Sequence, residues 1–334
     1  MPSLRDPTVY DVAKKAGVSI ATVSRVLNSP EIVKIETRRK VLSAIDDLGF
    51  VPKADASARA RKLVGRIGIL TPFFTFPSFI QRMRGIASRL ADSPFELVIY
   101  PVDSFDRLDG YLAMLPITRR LDGLIMMALP LAESNAERLV LNRLETVLIE
   151  IDHPEFTCIL IDDQLGGEMA ARYLLKKGYR HCAFMGPDEL PDYSLNPEES
   201  RLAGYRRVYE KYGITFPDEY IKHAALTHPD VHFEFEQWMN LPRPPTAVFA
   251  ASDDLAIRIL RAARESGIRV PEDLAIIGFD DIDMAEQIGL STVSQSLDES
   301  GRMAVELLLG RLENPSRPVQ HVQLGLKIIE RETA

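Results

Sequence analysis

The first fifty residues carry apolar positions with the spacing of short helices. One face of a helix over residues 8–17 is apolar, and the residues on that face are Val9, Val12, Ala13 and Ala16. Thr8 is a candidate N-cap because Asp11 follows three residues later. Gly17 is a candidate end, since the left-handed backbone of a helix stop favours glycine. The pattern therefore predicts a short amphipathic helix.

A second helix follows almost at once. Ser19 is placed to cap Ile20–Asn28, after a turn too short for anything but a tight helix pair. Residues 37–48 predict a third helix that packs under the pair and ends at Gly49. The spacing predicts a helix-turn-helix head. A small helical bundle without a ligand is the alternative.

Beyond residue 66, short apolar runs alternate with amphipathic helices every twenty to thirty residues. The predicted strands are residues 66–70, 97–100, 123–127, 146–150, 158–161, 181–185, 247–250 and 275–279. Such alternation predicts parallel doubly wound sheets, and the pattern restarts near Gly166, which indicates a second lobe. Ligands of open parallel sheets bind at the carboxyl ends of the strands, so we expect a binding cleft between the lobes.

The length of the chain predicts two or three domains, and charge is distributed unevenly along the sequence. The 334-residue chain has a net charge of −8, yet residues 1–66 hold thirteen Lys or Arg against seven Asp or Glu. A basic head on an acidic body is typical of a protein that contacts phosphate at one end. No apolar run is long enough to span a membrane, and no secretory signal precedes the head, so we expect a cytoplasmic protein. Cys158 and Cys182 lack metal-ligand spacing and are expected to be buried rather than disulfide-bonded.

The second helix of such a pair enters the major groove of DNA with its first turn facing the base edges. Ile20 and Ala21 suit thymine methyl groups, and Arg25 suits a guanine. Other polar residues of the helix pair suit phosphate contacts. The candidate DNA-contacting residues are Thr8, Tyr10, Ser19, Ile20, Ala21, Thr22, Ser24, Arg25 and Asn28, together with Arg59 farther along the chain.

The twenty-one residues from Thr8 to Asn28 closely resemble the head of the lactose/galactose/purine repressor family. Residues 36–38 and 48–52 continue the resemblance, whereas Lys34 stands where the family usually has a serine cap. Stretches of the body resemble the family's sensor, which is similar to periplasmic sugar-binding proteins; they are residues 162–166, 177–181, 201–205, 252–256, 270–273, 278–281 and 291–295. The resemblance implies a homodimer that binds a palindromic operator and a small-molecule effector.

The resemblance also divides the chain into a head (residues 1–50), a hinge (51–66) and a body (67–334). Within the body we expect one lobe from about 67–161 and 294–325 and another from about 162–293. In the family the hinge folds on DNA and inserts a leucine into the minor groove. Arg59 stands at that position here, and Leu63 lies one turn later. We expect minor-groove contact by the basic hinge, with a solvated basic linker as the alternative.

Candidate effector contacts come from strand ends and from the resemblance. Asp280 follows the strand at 275–279, Asp253 follows the strand at 247–250, and Arg201 precedes a helix expected to begin near Gly204. In the family the matching arginine and two aspartates line the effector pocket, and such a ring binds hydroxyls or a carboxylate. As alternatives, Asp253 or Asp281 caps a helix.

The first lobe departs from a sugar-binding pattern. Phe73 and Phe76 stand where the family usually has acidic and amide residues, while Phe79 is retained, and Leu226 replaces an aromatic residue. These replacements predict a pocket that is apolar on one side. Phe73, Phe74 and Phe76 are alternatively core or dimer-interface residues.

Three functions compete for this sequence. A transport-type binding protein shares the body but needs a signal peptide and no basic head. An enzyme needs a nucleophile motif, a phosphate loop or a metal cluster, and none accompanies the acidic residues, so we expect no enzyme activity, cofactor or metal. The sequence predicts a DNA-binding transcription regulator, dimeric rather than tetrameric, controlled by a sugar or related metabolite.

Overall fold

The structure, a computed structural model, describes residues 7–28, 32–50, 65–225 and 230–334. Within these ranges a helical head precedes an α/β body of two lobes. Arg59, Leu63 and Leu226 lie outside the described residues, so their predicted roles stay predictions. None of the described helices is long and apolar enough to cross a bilayer.

The head consists of three helices around one small core. They are α1 (Val9–Ala16), α2 (Ile20–Asn28) and α3 (Ile35–Leu48). As predicted, the Thr8 backbone N–H donates to the Asp11 carboxylate (2.8 Å), and the Thr22 N–H donates to the Ser19 hydroxyl (3.1 Å). α3 begins two residues earlier than predicted, and Lys34 provides no side-chain cap.

The first lobe is built on a parallel sheet with strand order β11-β5-β4-β3-β1-β2. Its strands are β1 (Gly65–Thr71), β2 (Phe95–Pro101), β3 (Gly123–Met127), β4 (Glu145–Ile149), β5 (Thr157–Leu160) and β11 (His321–Gln323). Its helices are α4 (Pro77–Leu90), α5 (Phe105–Thr118), α6 (Glu133–Leu141) and α12 (Leu297–Glu313). Every residue of β3 is buried, as expected for a central strand that is covered on both faces.

The second lobe repeats this architecture with strand order β12-β10-β9-β8-β6-β7, in which β12 runs antiparallel to β10. Its strands are β6 (Cys182–Pro187), β7 (Ile221–Ala224), β8 (Ala247–Ala250), β9 (Ala275–Asp280), β10 (Ser291–Ser294) and β12 (Lys327–Ile329). Its helices are α7 (Asp163–Lys176), α8 (Glu198–Lys211), α9 (His232–Met239), α10 (Asp253–Glu265) and α11 (Asp283–Gln287). The predicted two-lobed fold with parallel doubly wound sheets is confirmed.

The chain crosses between the lobes three times: after β5, after β10 and after β11. The third crossing was not predicted, and it returns the last residues to the second lobe. There the Thr333 hydroxyl donates to the Ile276 carbonyl (2.7 Å) and accepts from the Ser291 N–H (2.9 Å). These bonds fix the C-terminal segment against the sheet.

The prediction that a helix begins near Gly204 is wrong, because α8 begins at Glu198 and contains Arg201. Gly204 is required by packing instead. A Cβ there would lie 1.9 Å from the Gln164 carbonyl oxygen of α7, and one at Gly167 would lie 1.9 Å from the Arg201 carbonyl oxygen. This close approach of α7 and α8 places Arg201 at the edge of the cleft.

Candidate functional site

A cleft of about 910 Å³, including its mouth, lies between the lobes. Its walls come from the carboxyl ends of strands in both sheets: Ala128 follows β3, Glu150 follows β4, Ser252 lies just beyond β8, and Asp280 ends β9. This is where a parallel doubly wound sheet binds ligands. The cleft is hereafter called the inter-lobe cavity.

A chain of polar side chains, buried except for the half-buried Glu150, spans the inter-lobe cavity. The Arg82 guanidinium donates from Nη2 to Glu150 Oε1 (2.5 Å) and Gln295 Oε1 (3.1 Å), and from Nε to the Ser300 hydroxyl (3.0 Å). Gln295 in turn donates through Nε2 to Asp280 Oδ1 (2.5 Å). The chain Glu150–Arg82–Gln295–Asp280 thus connects the ends of strands in the two lobes.

Arg201, which is 4% exposed, is held from three sides. Its Nε donates to Asp163 Oδ1 (2.8 Å), and its Nη1 donates to the Ala251 carbonyl (2.7 Å). The guanidinium carbon lies 3.7 Å from the centre of the Phe279 ring. A planar cation with fixed partners on an aromatic face is a rigid part of the site.

Burial and neighbouring arginines move the pKa values of the acidic groups in opposite directions. Burial alone would raise the pKa of Glu150, but the adjacent Arg82 charge and its hydrogen bond lower it overall. Burial raises the pKa of Asp163 and Glu198 despite the nearby Arg201. For Asp280, burial outweighs Arg201 and the Gln295 hydrogen bond and raises the pKa to about 7. The cavity therefore contains one carboxyl group, that of Asp280, which exchanges its proton near neutral pH.

Asp253, expected to line the pocket, does not line it. Its carboxylate is fully buried, accepts from the Thr292 hydroxyl (2.6 Å) and the Ile282 N–H (2.9 Å), and fixes the segment after β9. The predicted cap role is also wrong, because Ser252 caps α10 by accepting from the Leu255 N–H (3.3 Å). The resemblance identified the right loop and the wrong residue of it.

Asp281 does not cap a helix either. It pairs with Arg331 (2.7 Å) near the C-terminal segment, and the residue before α11 is Ile282. The alternative of a helix cap at Asp281 is therefore wrong. Its charge is neutralised outside the cavity lining.

The predicted apolar side is present as a cluster of three rings, hereafter the phenylalanine wall, consisting of Phe73, Phe76 and Phe79. The Phe73 ring centre lies 5.1 Å from that of Phe76 and 6.1 Å from that of Phe79. Tyr193 of the second lobe lies 6.3 Å from Phe73. Phe74 points elsewhere and is 40% exposed. The wall lines the cavity, whereas Phe74 does not.

Arg82, Glu150 and Gln295 of the buried chain were not predicted as site residues, and neither were the lining residues Glu198, Asp254 and Arg258. Glu150 and Gln295 directly follow strands β4 and β10, so the strand-end rule would have found them. Arg82 lies on a helix among other charged residues, and the sequence gives no signal that distinguishes it.

In the head, α2 turns its apolar residues Val23 and Val26 inward and leaves Ser24 and Arg25 exposed. Ile20, at the start of the helix, is 41% exposed, and Ala21 is also exposed. The exposed face contains the residues predicted to contact bases. Tyr10 of α1 is exposed, Thr8 and Thr22 are partly exposed, and the Asn28 side chain lies outside the described part of the structure.

One group of side chains in the described ranges has the composition of a metal site. Ligand atoms of Asp152, Cys158 and His321 lie within 4.8 Å of one another at the edge of the first sheet. The buried Cys158 thiol donates to the Phe156 carbonyl (3.3 Å), and burial raises its pKa. Both cysteines are buried and free, as predicted.

A helix-turn-helix head with an exposed second helix, joined to a two-lobed body with a cavity between its lobes, defines a ligand-responsive DNA-binding regulator. Residues 8–53 match the bacterial regulatory proteins of the lacI family, and residues 171–334 match the periplasmic binding protein-like domain. The ribose operon repressor of Escherichia coli strain K12 is 31% identical over 98% of this chain and 99% of its own length. The chain belongs to the lacI family of transcription regulators.

Two solved structures of regulators are similar to this chain over 98% of its length. A complex of the transcriptional regulator CelR with cellobiose is 26% identical, has a TM-score of 0.70, and covers 98% of this chain and 100% of its own. The lac repressor dimer bound to operator and an anti-inducer is 25% identical, with a TM-score of 0.68 and coverage of 98% and 99%. The named relatives are regulators and repressors, not enzymes.

Proposed function

We propose that the chain is a homodimeric repressor whose α2 helices read the two halves of a palindromic operator and whose operator affinity is controlled from the inter-lobe cavity. The observation that carries this proposal is the buried chain Glu150–Arg82–Gln295–Asp280. It joins the two lobes across a cavity that residues of both lobes line. A ligand bound there contacts both lobes and therefore favours one lobe arrangement.

The exposed face of α2 supports the DNA-binding half of the proposal. Two heads related by a dimer axis would present Ile20, Ala21 and Arg25 to successive major grooves. The lac repressor dimer on its operator is a relative that assembles in this way. Because its partner is operator DNA, the regulator acts in the cytoplasm.

Contacts at the junction of the lobes would differ between two lobe arrangements. Gln81 of α4 donates to the Asp281 carbonyl (3.2 Å) and accepts from the Asp283 N–H (3.1 Å) in the second lobe. Arg84 also pairs with Asp283, and with Asp298 (2.6 Å) in its own lobe. A ligand changes operator affinity only to the extent that it binds the two lobe arrangements with different affinity. The exposed ion pair of Arg84 with Asp283 is weak enough to open and close.

The relatives support a small hydroxylated effector, since one is named for ribose and another is bound to cellobiose. We therefore expect a sugar or related metabolite as the starting point of a ligand search. The phenylalanine wall distinguishes this cavity from the usual sugar site of the family, which has acidic and amide residues on that side.

Operator binding with and without ligand tests the proposal. An operator selected from random DNA should bind the dimer, and an effector from a thermal-shift screen should change its affinity. Arg201→Ala and Asp280→Ala should abolish the ligand response and leave ligand-free operator binding within about threefold of the parent. Unchanged ligand affinity in both variants would refute the assignment of the cavity as the ligand site. Failure to select any DNA would refute the proposed function as a DNA-binding regulator.

A further inference from the structure

Carboxyl groups outnumber arginines in the lining of the inter-lobe cavity. Three arginines line it, and each has a carboxylate partner. The pairs are Arg82 with Glu150, Arg201 with Asp163, and Arg258 with Asp254. These arginines are therefore neutralised by the protein itself.

Two more carboxylates line the cavity, Glu198 and Asp280, and neither forms an ion pair within the described ranges. Glu198 Oε2 is inaccessible to solvent and has no hydrogen-bond partner there. Asp280 accepts one amide hydrogen bond from Gln295. A buried acceptor without a donor is costly, so a cavity-lining side chain that holds such an oxygen is a candidate to accept a hydrogen bond from a ligand.

The opposite side of the cavity is apolar. The phenylalanine wall continues into Leu190 and Leu195 of the second lobe, and these side chains offer no hydrogen bonds. A flat apolar group fits against such rings, and the ring faces attract a nearby cation. An anionic ligand finds no arginine there without a protein partner.

We propose that the effector is a cationic amine on a flat apolar frame, whose ammonium group binds between Glu198 and Asp280 and whose frame packs against the phenylalanine wall. This inference rests on the proposed function, because it concerns the effector of the same cavity, and it replaces the sugar suggested by the relatives with a protonated amine. It explains the two lining carboxyl groups without an ion pair, the unpartnered Glu198 oxygen and the aromatic lining together.

The raised pKa values of Glu198 and Asp280 give the proposal a pH signature. A cation favours the ionised carboxylates, so its binding releases a proton from Asp280, which is partly protonated near neutral pH. Affinity therefore rises with pH up to the pKa of about 7 at Asp280, by at most about tenfold per pH unit for each proton released. An anion would show the opposite trend.

Three probes with the same phenyl ring and two-carbon spacer separate the charge classes: phenethylamine, phenethyl alcohol and hydrocinnamate, with ribose as the sugar. Binding to the full-length dimer is measured by ligand-observed NMR. Fragments of this size are expected to bind with Kd of about 1 mM. Phenethylamine should bind about tenfold more tightly than the other three, and its affinity should rise between about pH 6 and about pH 8.

Matched variants locate the binding. Glu198→Gln and Asp280→Asn should each weaken phenethylamine about tenfold, whereas Glu199→Gln, at an exposed neighbour on the same helix, should not. Phe76→Ala should weaken it and Phe74→Ala should not, since Phe74 lies outside the cavity lining.

Absence of phenethylamine binding, or equal binding of the alcohol, the acid or ribose, would overturn the amine class. So would phenethylamine binding that none of the cavity variants changes. These results leave the proposed function intact if ribose or another ligand still alters operator affinity. Loss of operator binding altogether would count against the function instead, so the two failures are distinguishable.

Discussion

Removing Arg82 tests the buried chain that joins the lobes. Arg82 is 2% exposed, and Arg82→Met keeps much of its apolar volume while leaving Glu150, whose side chain is 16% exposed, without its cation. Breaking a buried ion pair from one side costs about 3–5 kcal/mol. For a body of this size the melting temperature should fall by about 10 °C. Gln295 also loses a donor, so the first lobe and its crossover are both weakened.

Urea unfolding followed by circular dichroism measures the loss. The matched control is Arg89→Met on the same helix, whose exposed pair with Glu306 (3.4 Å) should contribute less than about 1 kcal/mol. Adding Glu150→Gln to Arg82→Met should recover part of the stability, because no uncompensated charge is then buried.

The pH dependence follows from the sign of the pKa change. In the parent, Arg82 keeps the pKa of Glu150 below its unfolded value, so this contribution is present above the unfolded pKa and is lost in acid. In Arg82→Met, burial acts unopposed by Arg82 and raises the pKa of Glu150. The difference between parent and variant should therefore shrink as pH falls from about 7 to about 5. A loss below about 1 kcal/mol at neutral pH, or a difference that grows on acidification, would refute the reasoning.

Three other substitutions test the DNA face, the packing of α7 on α8, and the hinge. Arg25→Ala should cost about 1–3 kcal/mol of operator binding and relax the preference at one guanine in a binding-site selection; uniform weakening on all sequences would mean a phosphate contact. Gly204→Ala should lower the melting temperature by several degrees, because the added Cβ meets the α7 backbone, whereas Gly325→Ala meets nothing within 4 Å and should leave it unchanged. An equal effect of the two would show that α7 and α8 separate easily. Arg59→Leu should increase DNA bending and shift preference from an A·T-rich operator centre to a flexible step; a strongly bent CG centre in the parent would contradict this.

The fold and the location of the site could be predicted because their signals are local. The head is specified by caps and stops within a few residues of each helix, and Thr8 with Asp11 forms the expected bond. The strands of the body are short apolar runs, and the strand-end rule places Asp280 at the cavity without any long-range information. Arg201 also lies there, although its helix begins earlier than predicted.

The partners of these residues could not be predicted because they are distant in sequence. Arg82 contacts residues 68 and 213 positions away, at Glu150 and Gln295. The contact with Gln295 depends on the crossing after β10, which local periodicity does not predict. The same holds for Asp253, whose bonds to Ile282 and Thr292 make it structural. A short acidic motif identifies a loop, but the direction of each side chain depends on the backbone that surrounds it.

Backbone conformation at the cavity gives a physical reason for this limit. Four lining residues other than glycine have positive φ: Phe73 (42°), Ala128 (49°), Glu150 (63°) and Asp280 (122°). Such conformations cost about 1–3 kcal/mol each and persist only where the surrounding structure imposes them. Glycine and asparagine, which favour positive φ, are absent from these positions. The turns therefore could not be predicted from the sequence. The turns at Glu150 and Asp280 orient the two carboxylates at the ends of the buried chain. The geometry of the effector site is thus imposed by the two sheets and is not encoded in the local preference of the residues that form it.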